Sequence, residues 1–109
     1  MNKYRDKSDF EINVRIANIL LKYGQVANVM HINEDVLIFD KNSKCSIFNP
    51  CNNPADAMPI IIENGISSLF NDDEWICSVP YTEFLSINES LYRAAMEAFL
   101  MMKDAESEK

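Results

Sequence analysis

Residues 48–62 form the most constrained stretch of the chain and read Phe48-Asn49-Pro50-Cys51-Asn52-Asn53-Pro54-Ala55-Asp56-Ala57-Met58-Pro59-Ile60-Ile61-Ile62. Each proline fixes the backbone φ angle and removes an amide donor, which an ordinary surface loop rarely needs. A helix is predicted to follow, because Asn53 is a good N-cap, Pro54 suits the first helical position and Asp56 favours the positive end of the helix. The stretch therefore predicts a loop of defined shape, anchored by the helix after it.

The helix after this loop carries a proline in its interior. Pro59 cannot donate a backbone hydrogen bond to the Ala55 carbonyl, so it predicts a kink in the helix or a split into two pieces. Asn64 and Gly65 then predict its end.

A first helix is predicted over residues 8–23, upstream of the constrained loop. Ser8 and Glu11 form a capping box, and Gly24 supplies a left-handed stop. Apolar residues recur at helical spacing at Ile12, Ile16, Ile19, Leu20 and Tyr23. Polar residues occupy the opposite, solvent-facing side, namely Asn13, Arg15, Asn18 and Lys22.

The remaining segments predict short antiparallel strands. Residues 25–32, 35–40 and 45–48 are consecutive runs joined by tight turns, which indicates a meander. Residues 66–70 and 75–79 predict a second hairpin.

A last helix completes the predicted fold. It is capped by Asn88, has a broad apolar face, and is followed by a frayed, charged tail over residues 104–109. The fold class is therefore α+β: three helices on a small antiparallel sheet, forming a single domain over residues 1–109 with an ordered core over 8–103.

Composition and charge limit the function. The chain has 109 residues, 48% of them hydrophobic, and a net charge of −7. No Lys or Arg lies between Cys45 and Tyr92, against seven acidic residues, so this region cannot neutralise phosphates and no direct nucleic-acid contact is expected. The N-terminus lacks the apolar stretch of a signal peptide and no run is long enough to span a membrane, so we expect a cytosolic protein with free thiols.

The three cysteines are candidates for reactive or metal-binding groups. Cys45, Cys51 and Cys77 lack the paired spacing of zinc ligands, so no metal and no cofactor is expected. Cys51 precedes a helix N-terminus, where the dipole can lower a thiol pKa, but its only candidate base is His31. The acidic run over residues 72–74 is interpreted as a solvated turn.

Arg93 is the only cation between Lys44 and Lys103. It lies near the start of the last helix, where the dipole disfavours positive charge. One hypothesis is a structural clamp in which Arg93 reaches Asp56 or loop carbonyls. The other, given equal weight, is a solvent-facing arginine.

The chain resembles the NinX-like family of small phage and prophage proteins over about residues 8 to 102. Residues 48–61 are similar to the long central motif of that family, 8–13 to its opening, and 93–96 with 99–102 to its closing helix. The resemblance implies an accessory phage protein in the cytoplasm of a bacterial host, with no catalytic residues to transfer. The motif positions taken as candidate binding residues are Asn49, Cys51, Asn52, Asn53, Asp56 and Arg93.

Three functions follow from these observations. The leading hypothesis is a non-enzymatic module that binds a host or phage protein, with the rigid loop presenting main-chain and amide groups. A second is an acidic DNA mimic that inhibits a host DNA-binding protein. A third is a small-ligand binder or enzyme that uses Cys51, Asn52, Asn53 and Arg93. No membrane partner is expected, and homodimer formation is left open.

Overall fold

The structure, a computed structural model, describes residues 2–107. Its helices are α1 (Asp9–Lys22), α2 (Pro54–Asn64) and α3 (Leu91–Ser107). Its strands are β1 (Asn28–Ile32), β2 (Asp35–Phe39), β3 (Cys45–Ile47), β4 (Ser67–Asn71), β5 (Glu74–Ser78) and β6 (Leu85–Asn88). The strands form two antiparallel sheets, a first sheet in the order β1-β2-β3 and a second sheet in the order β4-β5-β6.

Local sequence chemistry explains where the helices begin and end. The Ser8 hydroxyl accepts a hydrogen bond from the Glu11 amide, and the Asn53 side chain accepts one from the Ala55 amide. Gly65 ends α2 with a φ of 62°, a left-handed conformation that glycine adopts without strain. These features confirm the predicted first and second helices.

The two sheets share one topology. The five residue pairs of the β4–β5 hairpin lie 39 positions after the five pairs of the β1–β2 hairpin. Each hairpin is followed by a third antiparallel strand and then by a helix. The chain thus contains the unit β-β-β-α twice, although no internal repeat is evident in the sequence.

The core lies between the helices and the inner faces of the sheets. The first sheet packs on α1, the second sheet packs on α3, and α3 also contacts α1 and α2. Residues 93–100 of α3 are all buried, which makes this helix the centre of the molecule. Within residues 2–107, no helix has the length and hydrophobicity needed to cross a membrane.

The predicted α+β class and the three helices are confirmed, but the strands form two sheets rather than one. The extra strand is β6. Its four residues alternate between apolar and polar, but the run is short and follows Pro80, which the sequence predicts to end the second hairpin.

Three smaller expectations differ from the structure. Helix α2 continues through Pro59 as one element, so of the two predicted outcomes the split is wrong and the kink stays a prediction. The amide of Arg93 donates to the hydroxyl of Ser90, so Ser90 rather than Asn88 caps α3. Residues 104–107 continue α3 instead of fraying, and the last two positions of the predicted tail, 108 and 109, lie outside the described residues.

Candidate functional site

The constrained loop over residues 48–53 closes on itself and on the start of α2. The amides of Asn52 and Asn53 both donate to the Asn49 carbonyl, at 3.1 and 2.8 Å. The Asn49 amide donates to Asp56 Oδ2 at 2.9 Å. The loop therefore has a defined shape, set by its own asparagines and by the first turn of the helix that follows.

Asn13 fastens this loop to α1. Its Nδ2 donates to Asn49 Oδ1 at 2.8 Å, and its Oδ1 accepts from the Cys51 amide at 3.2 Å. Asn13 is only 5% exposed, which corrects its predicted place on the solvent-facing side of the helix. An amide in this position satisfies two loop groups at once, since it offers both a donor and an acceptor.

Asp9 connects the loop to α3. Its Oδ2 accepts from Asn52 Nδ2 at 3.1 Å, and its Oδ1 lies 2.6 Å from Arg93 Nη1. One carboxylate at the start of α1 therefore joins the loop to the last helix.

Arg93 binds four oxygen atoms. Besides Asp9, it donates through Nε to Glu97 Oε2 at 2.6 Å and through Nη2 to the carbonyls of Tyr4 and Lys7, at 2.8 and 2.5 Å. The side chain is a buried clamp, but it holds the N-terminal segment and α1 rather than the predicted partner, Asp56. The planar guanidinium suits this arrangement because its donors point in several fixed directions.

Glu97 completes the buried charge pair. It is 0% exposed, and its Oε1 accepts from Ser86 Oγ and from Asn2 Nδ2, both at 2.6 Å. Each carboxylate oxygen thus has a partner, as a buried charge requires. Among residues 2–107, no buried side-chain nitrogen or oxygen lacks a hydrogen-bond partner.

The contacts shift the pKa of the two charged groups that join the helices. Burial by itself would raise the pKa of Asp9, but the hydrogen bonds from Arg93 and Asn52 outweigh it and lower that pKa. Burial would lower the pKa of Arg93, but its bonds to Asp9 and Glu97 raise it instead. Both groups are therefore held in their charged forms.

Cys51 lacks the environment of a nucleophile. Burial, with the nearby Asp9 charge, raises the pKa of the thiol to about 12, the opposite of the shift that a helix dipole would give. Its Sγ lies 3.9 Å from the Asp9 carbonyl. His31, the predicted candidate base, is exposed on β1 and packs edge-on against Phe10, with ring centroids 5.7 Å apart.

The six candidate binding residues can now be placed. All six belong to one network of hydrogen bonds, and Asn53 also caps α2 through its side chain. The sequence did not single out Asp9, Asn13 or Glu97. For Glu97 a signal existed, because Arg93 and Glu97 are spaced i,i+4 within an otherwise apolar stretch of helix.

Most polar groups of the network are used within the chain. The side chains of Asn49, Asn52, Asn53, Asp56 and Arg93 all bind other parts of the chain. In the described part of the chain, no three His, Cys, Asp or Glu side chains are grouped closely enough to hold a metal ion. We therefore describe residues 9, 13, 49–53, 56, 93 and 97 as the polar hub, a structural junction between α1, the loop, α2 and α3.

The outer faces of the two sheets are apolar in a matching way. Side chains alternate between the two faces of a strand, so register identifies those that point away from the helices. The first outer face consists of Met30, Ile32, Leu37, Phe39 and Ile47, with the row Met30-Leu37-Ile47 crossing all three strands. The second outer face consists of Leu69, Ile76, Leu85 and Ile87, with the row Leu69-Ile76-Ile87 crossing all three strands. Ile47 is 60% and Leu69 is 62% exposed, whereas the central residues Leu37 and Ile76 are half-buried between their neighbours, so each row is open to solvent along its edges.

Comparison with protein families identifies one match. The family model described as "Bacteriophage P22, NinX" matches residues 3–103, nearly the whole chain and both β-β-β-α units. Comparison with curated proteins and with solved structures gives no match.

Proposed function

Because the chain belongs to the NinX family of phage proteins, we propose that this phage accessory protein is a non-enzymatic module that binds a protein of the phage or of its host. Its site of action is the cytoplasm of the bacterial cell. The observation that carries the proposal is the uncovered aliphatic row Leu69-Ile76-Ile87 on the second outer face. Exposed apolar patches with polar borders are characteristic of protein interaction sites.

The charges around the second outer face indicate the chemistry of the partner. Four acidic residues border the end where the β4–β5 hairpin turns, namely Asp72, Asp73, Glu74 and Glu89. Residues 46–92 contain no Lys or Arg. A partner with an apolar patch bordered by lysines and arginines would complement this surface in both respects.

The edge of the second sheet beside β6 carries almost no net charge. Beside β6, Lys3 and Arg5 line the same groove as Glu83 and Asp104. Lys3 is already paired with Asp104, with 3.0 Å between Nζ and Oδ2. The basic border of the partner is therefore expected to meet the hairpin end.

The polar hub supports a scaffold role for the constrained loop. Asn52 Nδ2 and Asn53 Oδ1 are bound within the chain, so a partner that used either atom would have to break existing bonds. The buried, protonated thiol of Cys51 opposes the hypothesis of an enzyme centred there. A contact between a partner and the exposed edge of the loop stays a prediction.

The acidic DNA mimic is the alternative, and the second outer face disfavours it. A mimic of DNA needs carboxylates spread across one surface, as phosphates are. Here the aliphatic row separates the acidic hairpin end from Glu83 at the other end of the sheet. An apolar centre suits a protein interface better than a surrogate for a phosphate backbone.

The test compares proteins captured from phage-infected host lysate by the wild type and by four variants, one of which, Asp72→Asn/Asp73→Asn, removes two charges from the hairpin end. Ile76→Glu places a charge in the centre of the second outer face. Leu37→Glu makes the matched change on the first outer face, and Asn52→Ala/Asn53→Ala removes the loop amides. We expect one protein to be retained by the wild type, by Leu37→Glu and by the loop variant, and to be lost with Ile76→Glu.

Other outcomes would change the assignment. Loss only with the loop variant would place binding on the constrained loop and overturn the proposed surface. Retention by Ile76→Glu together with loss in Asp72→Asn/Asp73→Asn would favour the DNA mimic, since a mimic depends on its charges and not on an apolar centre. The retained protein is then purified, and its affinity for each variant is measured by calorimetry.

A further inference from the structure

The first outer face presents an uncovered apolar surface whose two ends carry opposite charge. Glu34 and Asp35 lie at the end where the β1–β2 hairpin turns. Lys41 and Lys44 lie at the opposite end, in the turn between β2 and β3. Asp40 also lies there and accepts from the amides of Asn42 and Lys44 through Oδ1, so this end carries two positive charges and one negative charge.

An apolar centre with one acidic end and one basic end is complementary to itself. If two copies pack these faces together about a two-fold axis with their strands antiparallel, the acidic end of each copy meets the basic end of the other. The row Met30-Leu37-Ile47 of one copy would then lie against the same row of the other copy at the centre of the contact. A single surface supplies both halves of such an interface.

We infer that the first outer face pairs with the same face of a second copy of this chain to form a two-fold symmetric dimer. The inference is independent of the proposed partner, which uses the second outer face. The second face lacks the basic end that self-pairing needs, because the end opposite its hairpin turn carries Glu83, and Lys3 and Arg5 nearby line a groove with Glu83 and Asp104. The two faces therefore select different occupants, although their aliphatic rows match.

The size of the face sets the expected strength of the dimer. Three strands span about 14 Å and five residues span about 17 Å, so the contact falls below the roughly 800 Å² per partner of a standard interface. Such a small contact predicts a weak dimer whose population rises with concentration. The paired charges fix the orientation of the two copies more than they add affinity.

Sedimentation equilibrium tests the inference on the full chain from about 10 µM to about 1 mM, a range that covers weak association. We expect the wild type to change from monomer to dimer over this range, and the dimer to weaken as salt screens the end charges. Leu37→Glu should remain monomeric throughout. Ile76→Glu, its matched control, should dimerise as the wild type does.

Charge variants test the orientation separately from the apolar centre. Lys41→Glu/Lys44→Glu should weaken the dimer at least about tenfold, because two acidic ends would then meet. Adding Glu34→Lys/Asp35→Lys to that variant should restore it, since the polarity of the face is then reversed in both copies. Far-ultraviolet circular dichroism confirms that each variant is folded.

Three results would overturn the inference. The first is a wild type that stays monomeric at about 1 mM. The second is a dimer unaffected by Leu37→Glu or lost with Ile76→Glu, because the contact would then lie elsewhere. The third is failure of the reversed-charge variant to recover, which would exclude the antiparallel two-fold arrangement.

Discussion

In the first β-β-β-α unit, six residues, 48–53, connect the third strand to its helix, whereas in the second unit only two residues, 89 and 90, make this connection. The short connection needs one cap, Ser90, to start α3. The long connection folds back to α1, where Asn13 binds it, and reaches Arg93 through Asp9. Two units of equal topology are thus joined by a loop that belongs to only one of them.

This difference explains why the loop is so constrained. Its prolines reduce the conformational freedom that folding must remove, and its asparagines place polar groups where α1 can bind them. The cost of burying Arg93 and Glu97 is offset only if each of their polar groups has a partner. The constraint therefore serves the junction between the units.

The largest expected effect comes from removing the cation of the junction. Arg93→Ala leaves the fully buried Glu97 carboxylate without its charge partner and frees the carbonyls of Tyr4 and Lys7. We expect the free energy of unfolding to fall by about 3–5 kcal/mol, as for other broken buried ion pairs. Thermal unfolding followed by circular dichroism should show a melting temperature lower by more than about 10 °C.

The control for this change is an exposed arginine. Arg5→Ala removes the same side chain from the surface and should alter the melting temperature by no more than about 2 °C. Equal effects of Arg93→Ala and Arg5→Ala would show that the junction is not what stabilises the two units together.

A second pair of variants separates the buried side of the loop from its exposed edge. Asn13→Ala leaves the Cys51 amide without its partner in the interior and Asn49 Oδ1 with only its bond from Asn52 Nδ2, which should cost about 1–3 kcal/mol. Asn52→Ala removes an exposed amide and should cost about 1 kcal/mol or less. Urea denaturation measures both, and a larger loss for Asn52→Ala would contradict the anchoring role of Asn13.

Acid should weaken the junction through Asp9. Because the folded protein lowers the pKa of Asp9, its stabilising contribution is complete above the ordinary carboxyl pKa of about 4 and is lost as pH falls through the lower, folded value. Asp9→Asn lacks this contribution, so its free energy of unfolding should change less between about pH 5 and pH 2 than that of the wild type. Asp6→Asn, an exposed neighbour, serves as control and should follow the wild-type curve.

The smallest effects on stability are expected at the outer faces. Leu37→Glu and Ile76→Glu should each lower the free energy of unfolding by about 1 kcal/mol or less, since both side chains are half-buried but neither is part of the core. Their consequences should appear instead in self-association for Leu37 and in partner binding for Ile76. If either change unfolded the protein, the corresponding outer face would belong to the core and not to a binding surface.

Local chemistry made part of this structure predictable. Ser8, Asn53 and Gly65 mark helix ends through bonds to adjacent backbone, and those bonds need no knowledge of the rest of the chain. The same holds for the tight turn at Asp72 and Asp73, both of which adopt positive φ.

Long-range pairing was beyond prediction from the sequence. Asn13 lies on a helix among polar residues, and only its contact with a loop 36 positions away distinguishes it from a solvated side chain. Asp9 likewise pairs with a residue 84 positions away. The constrained loop was recognised as important, but its partners, and therefore its structural role, depend on how distant segments meet.

Native-state hydrogen exchange measured by NMR tests the anchored loop most directly. The amides of Asn49 and Cys51 donate to Asp56 and Asn13, so they should exchange only when the whole domain unfolds. Their protection should match that of amides in the centre of α3 and should fall together with it in Arg93→Ala. Exchange of these two amides at the rate of an exposed turn such as residues 41–44, while α3 remains protected, would contradict the account.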